Sequence, residues 1–255
     1  MNKYALISVS DKTGIETLAM ELEALGYKIL STSNTARHLK QFCRSLVQVS
    51  DYTGFPEILG GRVKTLHPKI HGGILADRAN DAHIRSLMEH GIDSIDIVVV
   101  NLYPFADVRM KENSTHAEII ENIDIGGPSL IRAAAKNYRH VTVLCDPKDY
   151  VPTLEHLKQS SELPECISSY LAQKAFAMVS QYDSIIAGYF EDYINENYPA
   201  EEMPPFMDLS CSLKQQLRYG ENPHQKAAFY VNKGDGWEVL HGKELSFNNI
   251  LDIDS

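Results

Sequence analysis

The stretch GGRVKTLHPKIHGG, from Gly60 to Gly73, gathers Arg62, Lys64, Lys69, His67 and His71 around Pro68. In a chain with a formal net charge of -10, so local an excess of positive charge suits one small anion rather than a broad polyanionic surface. Lys64, set among glycines, can stabilise negative charge developing on a reacting oxygen or, with a depressed pKa, move a proton. A solvated surface lysine is the competing account. His67 and His71 are four apart, but Pro68 stands between them, so the helical HExxH zinc geometry is not expected and hydrogen-bonding or structural histidines are.

Other segments carry similar potential. In SVSDKTG (8–14), Ser10, Asp11 and Lys12 stand between an apolar run and a helical pattern. Hydroxyls, a lysine and free N–H groups at a helix start can surround a phosphate; a Ser10 or Asp11 helix cap is the alternative. TSNT (Thr32, Ser33, Asn34, Thr35) occupies a second such junction, and two together favour a phosphomonoester. Neither GxGxxG nor GxxxxGK[ST] is present, which disfavours a dinucleotide or a P-loop triphosphate. NLYPF (101–105) places Asn101 and Tyr103 after an apolar run, where a phenol can act as acid or base or as an aromatic lid on Pro104. IDIGGPS (123–129) sets Asp124 ahead of two glycine amides that open a helix, an arrangement for holding an oxyanion beside a carboxylate or for an Asp cap on a glycine turn. Lys136 ends that helix, where pairing with the helix dipole is the ordinary account.

These groups need a scaffold that gathers them. YALISVS (4–10), YKILS (27–31), LVQV (46–49), IDIVVVN (95–101) and HVTVLC (140–145) read as strands, and helical patterns lie between them at 14–26, 35–42, near 81–90, at 115–122 and at 127–137. The expected fold is α/β with a parallel five-stranded sheet whose strand-to-helix junctions share one ligand-binding edge. From 164 to 193 the residues Leu171, Phe176, Val179, Ile185, Ile186 and Phe190 indicate one long helix or two stacked ones. The acidic, proline-bearing NENYPAEEMPPFMD reads as a linker. The forty-odd residues from Ser212 are too few for a core of their own and are expected to be poorly ordered, or ordered only by docking on the first domain. A chain that is 44% hydrophobic and 23% charged is of soluble globular composition. Cys43, Cys145, Cys166 and Cys211 form no CxxC and follow no signal-peptide pattern, so reduced cytosol is expected, without disulfides or zinc. No apolar stretch reaches bilayer length.

SVSDKTG, GGRVKTLHPKIHGGIL, NLYPF, IDIGG and RAAAKN, in that order, resemble the AICAR transformylase/IMP cyclohydrolase family, and the likeness runs from residue 4 to the last residue. RYGENPHQ and GKELSFNNILDID resemble the opening of its transformylase domain. The resemblance implies a methylglyoxal-synthase-like three-layer domain over 1–195, a linker at 196–211 and a truncated α/β transformylase segment at 212–255. It implies IMP cyclohydrolase activity in cytoplasmic de novo purine biosynthesis: FAICAR, a formylated ribonucleotide, closes to IMP with loss of water, needing no metal or redox cofactor. Lys136 is then implied as the proton-transfer residue, Lys64 as facing the oxyanion, Asp124 as orienting or deprotonating the amide, and Tyr103 as assisting. Arg62, Val63 and Thr65 would hold the nucleotide, Asn101 with the amides of Ile125 and Gly126 the base and oxyanion, and Ser10, Asp11, Lys12, Thr32, Ser33, Asn34 and Thr35 the phosphate. The family usually carries two glycines where this chain has Ser33 and Asn34; glycine allows positive φ there, and Asn is the best substitute. Arg218 and Tyr219 match the family's AICAR-contacting pair, but its catalytic Lys-His pair lies past Ser255, so formyl transfer from 10-formyltetrahydrofolate is not expected of this chain. Family members are homodimers; neither nucleic acid nor a membrane is an expected partner. A methylglyoxal-synthase-like phosphate lyase and a non-catalytic nucleotide-binding module are the rival readings.

Overall fold

The Val- and Ile-rich runs become strands because β-branched side chains pack well on a pleated surface, and a parallel sheet covered on both faces takes them in near-continuous runs. In the computed structural model, which describes residues 3–160, 162–198, 211–232 and 245–254, β1 (Lys3–Ser8), β2 (Tyr27–Ser31), β3 (Leu46–Gln48), β4 (Ile95–Val100) and β5 (Thr142–Leu144) form one sheet in the order β3-β2-β1-β4-β5. Each neighbouring pair is parallel. Leu6, Ile7, Val98 and Val99 are fully buried, and each such side chain stabilises the fold by about 1.5–3 kcal/mol.

Helices fill the crossovers: α1 (Ile15–Ala24) and α2 (Ser33–Leu39) follow β1 and β2; α3 (Val49–Thr53), α4 (Pro68–Leu75) and α5 (Asp81–Glu89) lie between β3 and β4; α6 (Phe105–Arg109), α7 (His116–Glu121) and α8 (Gly126–Lys136) lie between β4 and β5; α9 (Tyr150–Gln159) and α10 (Glu165–Asn197) come after. α1 packs on β2 and α9, while α8 packs on β4, β5 and α4. Right-handed crossovers that leave β1 and β4 in opposite directions put α1 and α8 on opposite faces. The strand order therefore reverses between β1 and β4, where open α/β sheets form a crevice at their carboxyl ends.

Several local expectations are corrected. α2 starts at Ser33 rather than residue 35, with Thr32 extended before it. Ser33 and Asn34 are helical and use no positive φ; among the described non-glycine residues only Leu59 does. Gly72 and Gly73 are inside α4, and a Cβ on Gly73 would stand 2.6 Å from the Asp93 carbonyl oxygen. Of the two forms expected for the stretch after 164, it takes the first, one long helix, α10. Phe176 and Phe190 lie on its exposed side, and Leu171, Ala175, Val179, Tyr182 and Tyr189 take the buried positions. The Arg132 guanidinium lies 5.7 Å from the Phe176 ring centroid.

Residues 192–255 form a second compact unit. There β6 (Cys211–Leu217) and β7 (Ala227–Asn232) pair antiparallel, and α11 (Phe247–Asp254) follows. Most of the expected linker at 196–211 lies outside the described residues. Among the described residues no helix is long and apolar enough to cross a membrane.

Candidate functional site

A cleft of about 570 Å³ opens at the carboxyl ends of β1 and β4, with Ser8, Ser10, Val100 and Asn101 in its wall. Its floor and rim come from three further segments: the start of α2, the turn before α4, and the loop that leads into α8.

The turn before α4 is strained in a way that places its cations. Ile58 and Val63 exchange backbone hydrogen bonds of 3.2 and 3.4 Å, and Leu59, Gly60 and Gly61 close the turn between them at φ 54°, 65° and 93°. Glycine adopts such angles freely; a left-handed leucine costs about 1–2 kcal/mol and is held there by its surroundings. Lys64 folds over Gly61, where a Cβ would stand 2.8 Å from its Cε and 3.2 Å from its Nζ. Gly61 thus leaves room for Lys64 to reach the cleft. Arg62 also lines the cleft, with its guanidinium on the exposed Glu121 carboxylate.

Asp124 faces this turn from the other side. Its N–H donates to the Tyr182 hydroxyl at 2.8 Å, and its Oδ1 accepts the Gly127 N–H at 2.9 Å. Burial raises its carboxyl above the ordinary aspartate value, opposed by the N–H groups of Gly127 and Gly126 and by the Lys64 charge. Thr65, itself buried, reaches the first turn of α8: a Cβ on Gly126 would meet its Oγ1 at 3.1 Å. A carboxylate of raised pKa, a lysine and the helix start whose N–H groups that carboxylate accepts thereby converge. Together they can take a proton from a weak acid and stabilise an oxyanion beside it.

The expected phosphate loops behave differently. The amides of Ser10 and Asp11 both donate to Asn101 Oδ1, at 2.5 and 3.0 Å, and Asn101 Nδ2 donates to the Asp11 carbonyl at 2.9 Å. Asn101 thus ties the end of β4 to the loop after β1, and neither its amide nor those two N–H groups is free in the way expected. α1 begins only at Ile15, capped by Gly14 in the left-handed region, so neither Ser10 nor Asp11 caps it. Asp11 instead accepts from the Thr13 N–H and hydroxyl. Lys12 turns back to donate to the Val9 carbonyl and, at 3.2 Å, to Thr35 Oγ1, and burial lowers its pKa. Thr32, Asn34 and Thr35 do line the cleft, with the Thr32 hydroxyl 3.0 Å from that of Ser8. Ser33 does not; its N–H and hydroxyl donate to the Glu57 carboxylate.

Tyr103 stands at the cleft rim, 46% exposed, and exposed Ile125 precedes α8. Val63 lines a neighbouring pocket of about 290 Å³ with Phe55, Ile58 and His67; Lys64 borders both spaces. The His67 ring accepts the Lys69 N–H at 3.1 Å and so caps α4, the structural role expected of it. Lys136 is exposed at the far end of α8, about 15 Å along the helix from Gly126 at 1.5 Å per residue. The structure does not bring it into the cleft. Arg218 and Tyr219 belong to the second unit, with the guanidinium 5.6 Å from the tyrosine ring centroid. Among the described residues no cluster of three His, Cys, Asp or Glu side chains could hold a metal ion.

Sequence reasoning missed Tyr182, Glu57 and Glu121. Tyr182 sits in the 171, 175, 179, 182 stripe of α10, which reads as core, and only the partner of its hydroxyl marks it out. The two glutamates carry no local signal, because their partners lie 24 and 59 residues away.

The profile of the AICARFT/IMPCHase bienzyme family matches residues 134–255, and that of the MGS-like domain matches residues 14–129. The bifunctional purine biosynthesis protein PurH of Thermoanaerobacter sp. (strain X514) is 56% identical over 260 residues, covering 100% of this chain and 50% of that protein. PurH of Bacillus subtilis (strain 168) is 48% identical over 259 residues, covering 99% of this chain and 50% of the relative. The chain therefore spans about half the length of the curated relatives it matches. The crystal structure of ForH superposes with a TM-score of 0.67 at 38% identity, covering 74% of this chain and 97% of that one.

Proposed function

Because the chain belongs to the AICAR transformylase/IMP cyclohydrolase family, we propose that its first unit closes FAICAR to IMP with loss of water. The reaction joins the carboxamide nitrogen to the formyl carbon of the same molecule. Asp124 takes the proton from that nitrogen. The formyl oxygen, now carrying negative charge, faces Lys64; it takes the carboxamide proton back from Asp124 to become a hydroxyl, and leaves as water with the proton of the former formamide nitrogen as the ring double bond forms. Thr32, Asn34 and Ser10 offer hydroxyls and an amide to the phosphate, and Arg62 lines the same cleft. Because both reacting groups sit in one molecule, holding the reactive conformer supplies much of the acceleration.

The observation that carries this reading is the convergence of Lys64 and Asp124 on the start of α8 in one cleft. A carboxyl raised by burial suits a base working near neutral pH better than an ordinary aspartate does. The family's second reaction draws on a folate; the ring closure proposed here uses none.

The test is turnover of FAICAR to IMP by the 255-residue chain, followed by mass spectrometry. Lys64→Ala and Asp124→Asn should each lower kcat by about 10²-fold or more while changing IMP affinity by less than about threefold, since both act on charge that develops in the transition state. IMP binding without FAICAR turnover would establish a nucleotide-binding module instead. Release of methylglyoxal from dihydroxyacetone phosphate would establish the lyase.

A further inference from the structure

Asp124 is held on a loop, and a loop by itself does not fix a carboxylate to the tolerance that acid-base chemistry needs. The segment that fixes it comes from far along the chain. Tyr182, on α10, is 7% exposed; its hydroxyl accepts the Asp124 N–H at 2.8 Å and donates to the Asn122 carbonyl at 3.5 Å. One phenol therefore satisfies backbone groups on both sides of Ile123. The ring is fixed in turn: Phe105, the buried last residue of NLYPF, meets it edge-on at 6.2 Å and 70°. Phe105 also packs edge-on against Tyr189 at 5.9 Å, and Ile119 joins the same apolar cluster.

We propose that Tyr182 is a positioning residue for the ring-closing reaction, setting through the Asp124 backbone where that carboxylate lies relative to Lys64 and the start of α8. This rests on the reading of the cleft given above. It assigns a role in the chemistry to α10, a helix that contributes no residue to the cleft lining. The Asp124 side chain has a second tether, its bond from the Gly127 N–H, so losing the phenol hydroxyl leaves the carboxylate present but shifted. A shift of about 1 Å in a catalytic group costs up to about 10²-fold in rate. Substrate binding, which draws on the sheet edge and the turn before α4, is left intact.

Tyr182→Phe keeps the ring and removes only the hydroxyl. The expected result is a fall in kcat of about 10-fold or more with KM for FAICAR and affinity for IMP changed by less than about threefold. Amide exchange should rise at residues 122–127 and stay unchanged in β1 and β4, which separates a local effect from loss of fold. An unchanged kcat overturns the proposal even if exchange rises, and so does a matching loss of kcat and IMP affinity. If the unsubstituted chain turns over no FAICAR, the activity reading fails independently. The exchange measurement then decides whether Tyr182 holds the Asp124 loop: loss of protection confined to 122–127 supports it, and unaltered protection overturns it.

Discussion

Replacing Gly127 by alanine tests the packing argument for the first turn of α8. In an open helix this change adds up to about 1 kcal/mol of stability, because glycine is the poorer helix former and loses more backbone entropy on folding. At Gly127 the new Cβ would stand 2.5 Å from Asp124 Oδ2, 2.7 Å from Leu102 Cδ2 and 3.1 Å from Asp124 Cγ. The carboxylate cannot retreat without lengthening its bond from the Gly127 N–H, a loss of about 1 kcal/mol, and overpacking a filled site costs about 1–3 kcal/mol. These costs outweigh the helix gain, leaving a net destabilisation of about 1–3 kcal/mol, or a melting-point fall of about 2–4 °C per kcal/mol. Gly188, in α10, is the internal control: its Cβ would meet only Arg109 Nη1, at the ordinary distance of 3.9 Å. Gly188→Ala should raise stability by about 0.5–1 kcal/mol. Urea denaturation of both variants, with the slope checked against the unsubstituted chain, measures the two signs. A Gly127→Ala chain as stable as the original, or more so, would refute the reasoning.

Asp124 predicts a pH dependence of known sign. Its carboxyl is raised in the folded state by burial, opposed by the Gly126 and Gly127 N–H groups and Lys64, so its neutral form is the one folding prefers; the stability this supplies is present below the unfolded aspartate value and is lost as pH rises through the folded pKa. Asp124→Asn should therefore gain stability relative to the original chain as pH rises above the ordinary aspartate range, and a difference that stays flat from pH 3 to 7, about the span of a shifted carboxylate, would count against it. In the original chain the acid limb of kcat should sit above the ordinary aspartate value and should be missing from the residual activity of Asp124→Asn. Asn101→Ala removes the acceptor for two N–H groups and the donor to one carbonyl; a loss of about 1–3 kcal/mol is expected, with amide exchange rising at residues 10 and 11 and weaker IMP binding.

The alternation of apolar runs and helical patterns was enough to place five strands and most of the helices, since a parallel sheet buried on both faces demands long β-branched runs and its crossovers demand amphipathic helices. The segments bearing Tyr103 and the Thr32–Thr35 junction were likewise legible, because strand-to-helix junctions share one edge of such a sheet; Lys64 and Asp124, which lie between helices, stood out only by the glycines beside them. What the sequence could not supply were the distances along the chain that tertiary structure closes. Lys136 sits in a motif next to the site in sequence, yet the rise of α8 carries it to the opposite end, while Tyr182 reaches the Asp124 backbone from 58 residues away. Asn101 was readable as a ligand-edge polar group, but whether its amide faces a ligand or the neighbouring loop depends on where the end of β1 falls against β4. Tyrosines and phenylalanines of α10 share one apolar periodicity, and only packing decided that Tyr182 and Tyr189 turn inward while Phe176 and Phe190 face out. Local pattern determines which elements form and which edge of the sheet they serve; which side chains meet at that edge is set by the lengths, rotations and crossings of elements packed together, information that no short window of sequence contains.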